Sequence, residues 1–384
     1  MSPKHDTTQE VFRKEDGGVM DGPCVAILLS TFNGERYLDE QLRGYSGQTH
    51  ANWLLYWRDD GSCDASAPMV EAFANGAGAG RCLRHTTGIN HTAGVSHTAE
   101  RRPATDKKLA TDERLATDER LATDERLGAT ESFLALARMA LAGPAALFAF
   151  SDQDDVWLPE KLAHGAAALR MVPEGQPALY FCARTLVDEA LRPLGQAPLP
   201  RHPLGFPDVL TQNAIPGCCM LLNRAAAERI DALPVPEDTW HDWWACLVVA
   251  AHEGVIIAGD TPDILYRQHA RNLVGERLGS WRRAVAALRR GRTSFMARFW
   301  RHVAALQAGA GHLPEGTRDG LALLNRARQG GVAARFRALR GLGLARRTWL
   351  ETLLFRLWFL LDRGPCETGS IPCPKDGGVP KSLS

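Results

Sequence analysis

The chain has 384 residues, of which 45% are hydrophobic and 23% are charged, and its formal net charge is +1. This length allows one large hydrophobic core or two modest ones, and the near-zero charge excludes a protein that binds nucleic acid through its overall charge. The nine cysteines show no repeated C-x-x-C spacing and most lie in apolar runs, which favours free thiols in a reducing cytosol. Because the sequence shows neither a secretory signal nor an apolar run long enough to span a membrane, we expect a cytoplasmic protein.

The N-terminal part of the chain alternates short apolar runs with helical patterns. The pattern predicts strands at residues 25–30, 53–58 and 81–85, with helices at residues 35–47 and 65–74 between them. This alternation is typical of an α/β layer structure with a largely parallel sheet.

The same alternation resumes further along the chain. It predicts a helix at residues 131–141, a strand at 146–150, a helix from Pro159 and a strand at 179–183. We therefore expect one sheet to include strands from both sides of the intervening segment.

The intervening segment, at about residues 91–128, contains a six-residue repeat. Three copies of Ala-Thr-Asp-Glu-Arg-Leu occupy residues 110–127, and a degenerate copy precedes them. A period of six turns a helix by about 600°, so the leucines form no continuous apolar face. The segment is either a dispensable solvated loop or frayed helix, or an arm that binds a partner.

The ends of the chain differ from its centre in composition. Residues 1–23 and the segment at 363–384, which is rich in Pro, Gly and Ser, are predicted to be disordered. Between them we expect an α/β domain at residues 24–275 and a basic helical extension at residues 276–362.

Polar clusters follow three of the predicted strands, at residues 30–35, 59–64 and 151–157. In open α/β sheets, ligands bind beyond the carboxyl ends of the strands. Asp152 and Asp154 are two residues apart in an extended segment, so both side chains can approach one Mn²⁺ or Mg²⁺ ion that keeps positions open for phosphate oxygens. The alternative is a helix N-cap, because Asp155 lies shortly before the predicted helix at Pro159.

Six segments, taken in chain order, resemble the family 2 glycosyltransferases, and most closely the bacterial branch of rhamnosyltransferases. The resemblance covers residues 25–275, and its segments are VAILLSTFNGERYLDEQL, LLYWRDDGSCD, FAFSDQDDVWLPEKL, IPGCCMLLNR, HDWWACLVVAAHEG and YRQHARNLVG. It implies a GT-A fold, which is a Rossmann-like fold with a mixed, mainly parallel sheet. It also implies an inverting enzyme of cell-surface polysaccharide biosynthesis, which moves a sugar such as rhamnose from a dTDP- or UDP-sugar to a glycan or lipid-linked acceptor.

The resemblance implies a nucleotide pocket at the ends of the first two strands. It places Thr31, Asn33 and Glu35 in this pocket, and it places Asp60 or Asp59 against the pyrimidine base. A carboxylate can accept the imide N–H of uracil or thymine. The alternative for the two aspartates is a solvated Asp-Gly turn.

The resemblance also implies a site for the metal ion and the diphosphate. Asp152 would contact the ribose or the metal ion, and Asp154 would bind the metal ion. Arg267 would lie near the diphosphate, since its forked donors suit phosphate. His269 would complete the metal site through a neutral ring nitrogen, although a lone histidine is more often structural.

Asp242 matches the acid that the family uses as general base, at the start of a predicted helix. Trp243 and Trp244 would exclude water from the base and form a flat surface for the acceptor sugar. Gly217 lies in the segment that shapes the acceptor pocket. The alternative is an N-cap aspartate on a buried helix whose tryptophans belong to the core.

The region after residue 276 is helical in pattern and rich in arginine. Arginines beside tryptophans suit anionic lipid headgroups, so one hypothesis is peripheral contact with the inner face of the plasma membrane. The other is that these helices pack on the α/β domain and leave the arginines in solvent. The arginines and large aromatic residues concerned are Arg282, Arg283, Arg289, Arg290, Arg346, Arg347, Trp349, Phe355, Trp358 and Phe359.

Two other functions are compatible with parts of the sequence. A D-x-D-x-V loop at residues 152–156 also suits a haloacid-dehalogenase-like phosphatase, although that motif normally opens the domain. A non-catalytic carbohydrate-binding relative would keep the fold, but the intact Asp60, Asp152, Asp154 and Asp242 argue against it. A dinucleotide oxidoreductase is disfavoured because the first strand lacks the following glycines that would bind pyrophosphate.

Overall fold

A computed structural model describes residues 22–86, 126–200, 202–269 and 292–362. Almost all of the predicted leader, most of the repeat segment, the predicted C-terminal tail and the first part of the basic extension lie outside the described residues.

The described strands form one nine-stranded sheet with the order β3-β2-β1-β4-β8-β6-β9-β5, in which β7 also pairs with β6. In chain order the strands are β1 (Val25–Thr31), β2 (Trp53–Asp59), β3 (Cys82–Arg84), β4 (Leu147–Ser151), β5 (Val156–Trp157), β6 (Ala178–Val187), β7 (Pro193–Gln196), β8 (Met220–Asn223) and β9 (Val255–Arg267).

Eleven α-helices lie within the described residues, and they are numbered here in chain order. They are α1 (Glu35–Ser46), α2 (Ser66–Asn75), α3 (Ala129–Leu141), α4 (Lys161–Leu169), α5 (Phe206–Thr211), α6 (Arg224–Asp231), α7 (His241–Ala251), α8 (Arg292–Ala308), α9 (Glu315–Gln329), α10 (Val332–Leu342) and α11 (Trp349–Leu361).

The N-terminal half of the sheet is parallel throughout. Strand β1 pairs with β2 on one side and with β4 on the other, and β3 extends the sheet beyond β2. The apolar residues of β1 are buried on both faces of the sheet, as is typical of a central parallel strand. The registers place Thr31 beside Asp59 and Leu29 beside Ser151, so the three polar clusters predicted from the sequence meet at one edge.

The strand direction reverses between β4 and β8. Strand β8 runs antiparallel to β4, with Ala149 opposite Leu221. The residues just before β8, Gly217–Cys219, therefore lie beyond the carboxyl end of β4, next to Ser151. This reversal brings a segment from the second half of the chain to the edge where the first half ends.

Strand β9 closes the same edge from the other side. It runs parallel to β6, and its last residue, Arg267, is opposite Val187. The short strand β5, which directly follows the acidic residues after β4, pairs with β9 through Val156 and Leu265. The acidic segment is therefore held between β4 and the end of β9.

The C-terminal helices pack on the α/β part of the molecule. Helix α8 contacts α5, α7, α9 and α11, and it buries Met296, Phe299, Trp300, Val303 and Leu306. The predicted fold class, a mixed α/β sheet followed by a helical C-terminal region, is confirmed. Among the described residues, no helix is both long and apolar enough to cross a membrane.

Candidate active site

The loop after β1 is joined to the loop after β2 by hydrogen bonds to the backbone. The N–H of Asn33 donates to Ser62 Oγ at 2.9 Å, and the N–H of Cys63 donates to Asn33 Oδ1 at 2.9 Å. Asn33 has a φ of 48°, a left-handed conformation that asparagine adopts more readily than most residues. The predicted nucleotide-site residue Asn33 thus fixes the shape of this edge.

Glu35 joins the same two loops from the outside. Its Oε2 accepts the N–H of Ala65 at 2.9 Å, while its own N–H donates to Asp64 Oδ2 at 3.1 Å. The residue is exposed at the start of α1. In this structure Glu35 stabilises the loops from their outer side.

Asp59 is a buried carboxylate, and both of its oxygens accept hydrogen bonds. Its Oδ1 accepts the hydroxyl of Thr31 at 2.8 Å and that of Ser62 at 2.6 Å, and its Oδ2 accepts the N–H of Ser62 at 2.8 Å. Thr31 is itself fully buried. These two predicted nucleotide-site residues hold β1 and β2 together at their ends.

Asp60 is likewise buried, and it binds the start of α3. Its two oxygens accept the N–H groups of Leu127 at 2.7 Å and Gly128 at 2.9 Å. Ser132 Oγ donates to it at 3.3 Å, and Arg58 Nη2 lies 3.7 Å away. The carboxylate that was predicted to contact a pyrimidine base therefore accepts hydrogen bonds from the backbone just before α3.

Gln153 was not predicted to be a site residue, although it lies between two aspartates that were. Its amide forms a reciprocal pair with the backbone of Phe32, with distances of 2.8 Å from the Phe32 N–H and 2.9 Å to the Phe32 carbonyl. A Cβ atom on Gly34 would lie 2.3 Å from the Gln153 side chain. Only glycine fits at position 34 while this amide pair is present.

Asp152, Asp154 and Asp155 form an acidic cluster at the carboxyl end of β4. Burial, together with the nearby carboxylates of Asp154 and Asp242, raises the pKa of Asp152 to about 8. Desolvation and like charges both disfavour the ionised form of a carboxyl group. Ionisation of the whole cluster is therefore unfavourable unless a positive charge is bound beside it.

Asp155 is the most deeply buried member of the acidic cluster, with 1% of its surface exposed. Its Oδ1 accepts the N–H of Arg267 at 3.2 Å, whereas its Oδ2 has no hydrogen-bond partner among the described residues. Burial, and then the charges of Asp154 and Asp152, raise its pKa well above the ordinary value. The N-cap role is not what this geometry shows, because helix α4 begins at Lys161.

Arg267 and His269 approach the acidic cluster from the end of β9. His269 Nε2 lies 2.7 Å from Asp154 Oδ2, and its ring stacks on Tyr37 with centroids 5.1 Å apart. The guanidinium of Arg267 donates to the backbone carbonyls of Asp154 at 2.8 Å and Glu189 at 2.5 Å. The structure brings both predicted residues to Asp154, and Arg267 also fixes the backbone of the cluster.

Asp242 lies in the first turn of α7 and is near enough to Asp152 to raise its pKa. Its Oδ1 accepts from Asn213 Nδ2 at 2.9 Å and from the N–H of Trp243 at 2.7 Å, and its Oδ2 accepts the N–H of Gly217 at 3.2 Å. Three donors therefore set the direction of this carboxylate. Of these, Asn213 was not predicted from the sequence.

Gly217 lies against the start of α7. A Cβ atom there would lie 2.5 Å from His241 Nε2 and 3.3 Å from Asp242 Cβ. His241 is buried between the rings of Phe133 and Phe150, and this burial lowers its pKa to about 4. The imidazole is therefore neutral at pH 7.

Trp243 and Trp244 are both inside the core, with 4% and 0% of their surface exposed. The indole N–H of Trp243 donates to the carbonyl of Val209 at 2.7 Å, and Trp244 stacks near His302. Neither ring face is open to an acceptor sugar in this structure. The half-buried Trp240, just before the helix, is the tryptophan of this group nearest the surface.

The acidic cluster offers donor atoms for a cation. Ligand atoms of Asp152, Asp155 and Cys218 lie within 4.8 Å of one another, and Asp154 with His269 lies alongside. Carboxylate oxygens suit hard cations such as Mg²⁺ and Mn²⁺, whereas a thiol is a soft ligand. The oxygen donors and the unpartnered Asp155 Oδ2 fit a divalent cation, and Cys218 fits it less well.

No protein-family model matches the chain, and no curated protein matches it. Among solved structures, the chain is similar to TarS from S. aureus in complex with UDP, at 13% identity and a TM-score of 0.46 over 81% of this chain and 74% of that one. For TarS in complex with UDP-GlcNAc, the identity is 12% and the TM-score is 0.45, over 88% of this chain and 90% of that one. For the mannosyltransferase PcManGT from Pyrobaculum calidifontis in complex with GDP-Man and Mn²⁺, the identity is 15% and the TM-score is 0.42, over 93% of this chain and 92% of that one.

Proposed function

We propose that this protein is a glycosyltransferase of the GT-A type that transfers a sugar from a nucleoside-diphosphate sugar to an acceptor hydroxyl group. The observation that carries the proposal is the acidic cluster beside Asp242. Burial, and then the nearby carboxylates of Asp154 and Asp242, raise the pKa of Asp152 to about 8. A divalent cation would favour the ionised form of these carboxyl groups and would leave coordination positions for a diphosphate.

The chain's own residues would position the cation and the diphosphate. Asp152 and Asp154 would supply oxygen ligands, and His269, whose Nε2 already lies 2.7 Å from Asp154 Oδ2, would complete the set. Arg267 would keep the backbone of Asp154 in place through its 2.8 Å hydrogen bond. When bound, the cation would neutralise the charge that develops on the diphosphate leaving group.

The nucleotide would lie against the loops after β1 and β2. Thr31, Asn33, Glu35 and Asp59 shape this wall through hydrogen bonds between the two loops rather than through free donor groups. A direct contact between Asp60 and a pyrimidine would need the N–H groups of residues 127 and 128 to release its carboxylate. The proposal therefore places the base beside these loops and assigns their side chains a positioning role.

Asp242 is the general base in this proposal. An acceptor hydroxyl must lose its proton as it attacks the anomeric carbon, and a positioned carboxylate can take it. The donors at Asn213, Gly217 and the Trp243 backbone hold the carboxylate in one orientation. Attack from the face opposite the leaving diphosphate inverts the anomeric centre without a covalent enzyme intermediate.

The donor and the acceptor are proposed from the sequence motifs alone. A dTDP- or UDP-linked sugar, with rhamnose as the first candidate, would be moved to a glycan or lipid-linked acceptor in cell-surface polysaccharide synthesis. The cysteines among the described residues are all free thiols, which supports a cytoplasmic location.

Calorimetry tests the binding half of the proposal. The full chain is titrated with UDP and with dTDP, in the presence of Mn²⁺ and in the presence of a chelator. We expect binding of at least one nucleotide with Mn²⁺, and we expect Asp154→Asn to abolish it. Asp231→Asn is the matched control, because it removes one surface carboxylate whose partner is the exposed Arg138.

A measurement of turnover separates the alternatives. Release of nucleoside diphosphate from a nucleotide sugar that depends on Asp242 supports the transferase. Absence of nucleotide binding, together with hydrolysis of p-nitrophenyl phosphate that depends on Asp152, would support the phosphatase instead. Nucleotide binding without turnover of any sugar donor would favour the non-catalytic relative.

A further inference from the structure

Helix α11 exposes a row of large apolar side chains. Trp349, Leu353, Leu357 and Leu361 are 78%, 58%, 50% and 51% exposed, respectively. They are spaced four residues apart, so they form one stripe along the helix. This stripe is called here the α11 outer face. Single exposed apolar residues are ordinary in soluble proteins, but a continuous row of this kind marks an interaction surface.

The opposite side of α11 already packs in the protein. Phe355 and Phe359 contact the ring of Phe299 on α8, and Trp358 contacts Phe295. At about 100° per residue, the centres of the buried and exposed sets lie roughly 170° apart. The outer face is therefore not an extension of the core. A helix that is apolar on both sides is expected to be covered on both sides.

The exposed charge of the segment that contains α10 and α11 is positive. Residues 332–362 contain six arginines and two acidic residues. Of the acids, Glu351 is buried and Asp362 accepts the indole N–H of Trp300 at 2.6 Å. The arginines that are exposed in this segment are Arg337, Arg340, Arg347 and Arg356.

We propose that the α11 outer face docks on an anionic lipid surface. The leucines and Trp349 would enter the boundary between headgroups and acyl chains, and the exposed arginines would lie among the anionic headgroups. A helix of 13 residues is about 20 Å long, which is shorter than the roughly 30 Å hydrocarbon core, so it lies in the plane of the surface.

Charge distinguishes a lipid surface from a second copy of the chain. A two-fold symmetric dimer would place the same patch against itself, and the exposed arginines of both copies would then lie close together without exposed acids in residues 332–362 to balance them. An anionic bilayer offers the complementary charge and an apolar interior at the same time.

The docking surface is connected to the acceptor side of the candidate active site, a link that rests on the proposed function. Just before α11, Arg346 Nη1 donates to the carbonyl of Thr211 at 2.5 Å, and the Arg347 N–H donates to Gln212 Oε1 at 3.0 Å. The next residue, Asn213, donates to Asp242. Docking through α11 would thus hold the segment beside the proposed base close to the lipid surface, where a lipid-linked acceptor would be presented.

Vesicle co-sedimentation tests the docking without any need for turnover. The full chain is mixed with vesicles of phosphatidylcholine alone and with vesicles that contain phosphatidylglycerol. We expect binding to the anionic vesicles that weakens with added salt. The double variant Leu353→Glu/Leu357→Glu should lower the affinity by about tenfold or more, since each change places a carboxylate in the contact.

Met171→Glu is the matched control, because Met171 is an 80% exposed apolar residue outside the C-terminal helices. It should bind vesicles as the unmodified chain does. A second variant, Arg337→Gln/Arg340→Gln, should reduce the salt-sensitive part of the binding, and its melting temperature shows whether the fold is intact.

Several results would overturn the proposal. One is equal binding of the unmodified chain to neutral and anionic vesicles, or binding to neither. Another is an elution volume of a dimer that becomes that of a monomer in Leu353→Glu/Leu357→Glu, which would show that a second copy covers this face. A different result would separate the two proposals. If the unmodified chain binds anionic vesicles but no nucleotide, the proposed function is wrong and the docking is still supported.

Discussion

Two pairs of adjacent aspartates follow parallel strands at the same edge of the sheet, and the protein treats them in opposite ways. Asp59 and Asp60 receive hydrogen bonds from hydroxyl and backbone N–H groups of the protein on all four carboxylate oxygens. Asp155, by contrast, leaves one oxygen without a partner, and it lies against Asp152 and Asp154. The first pair holds loops in place, whereas the second pair includes a buried carboxyl oxygen without a protein partner among the described residues.

The difference lies in the donors that each segment meets. The loop after β2 is followed by Ser62, and the backbone of residues 127 and 128 comes back to it. The segment after β4 meets carboxylates and thiols, with His269 and the backbone N–H of Arg267 as the nearby nitrogen donors. The two aspartate pairs therefore differ in their hydrogen bonding because of partners that lie far away in the sequence.

The strongest test of this contrast is the substitution Asp154→Asn. We expect the rate of sugar transfer to fall by at least about 100-fold, because a group that would help to balance the leaving diphosphate is lost. The free energy of unfolding should stay the same or rise, since one of three mutually repelling carboxylates is neutralised. Urea unfolding and a transfer assay measure the two quantities, and a large loss of stability would contradict the contrast.

The reverse result is expected for Asp60→Ala. This change removes the acceptor for the N–H groups of residues 127 and 128 and a counter-charge near the buried Arg58. We expect the free energy of unfolding to fall by about 3 kcal/mol. Chemical denaturation beside Asp231→Asn checks this, and an unchanged midpoint would mean that the Asp60 contacts contribute little.

The substitution Gly34→Ala tests the contact between the loop after β1 and the acidic segment after β4. The added methyl group would lie 2.3 Å from the Gln153 side chain, and we expect a loss of about 1–3 kcal/mol of stability. The double variant Gly34→Ala/Gln153→Ala should be more stable than the sum of the two single changes predicts, because the overlap is absent. Additive effects in a double-mutant cycle would rule out this contact as the cause.

The last test of the contrast is a pH dependence of cation binding. A pKa of about 8 for Asp152 means that the folded protein binds a proton there at pH 7, and a cation must displace it. The apparent affinity for Mn²⁺ should therefore rise by about tenfold per pH unit up to pH 8. Without the cation, the same shift lowers the free energy of unfolding as the pH rises from about 4 to 8, because the folded state binds the proton more tightly than the unfolded state.

Calorimetry in two buffers of different ionisation enthalpy measures the released proton. Asp152→Asn should remove both the proton release and the associated pH dependence of stability. A pH-independent affinity in the unmodified chain would show that Asp152 is already ionised before the cation binds.

The elements of the fold were predictable from the sequence because the buried strands and amphipathic helices have clear periodicity. The predicted strand at residues 25–30 is β1 (Val25–Thr31), and the predicted helix at residues 131–141 is α3 (Ala129–Leu141). The convergence of the three polar clusters followed from the parallel order of their strands, which the registers confirm.

The partners of the site residues could not be predicted, because they come from distant segments. The N–H groups that bind Asp60 lie 67 and 68 residues away, and the Gln153 amide pairs with a residue 121 positions away. The burial of Trp243 and Trp244 depends on α8, which lies beyond the residues that carry the resemblance. Local pattern identifies which residue types are present, but the packing of remote elements decides which of their atoms are free.

The reversal of strand direction between β4 and β8 separates the candidate active site into two groups of residues. The aspartates and the histidine proposed as cation ligands follow β4 and β9, whereas the groups that orient Asp242 follow residue 212, around β8 and α7. The two sides meet across one antiparallel pair of strands. If the proposed function holds, exchange of the single contiguous block at residues 212–251 should change acceptor preference and leave the proposed cation ligands Asp152, Asp154 and His269 in place.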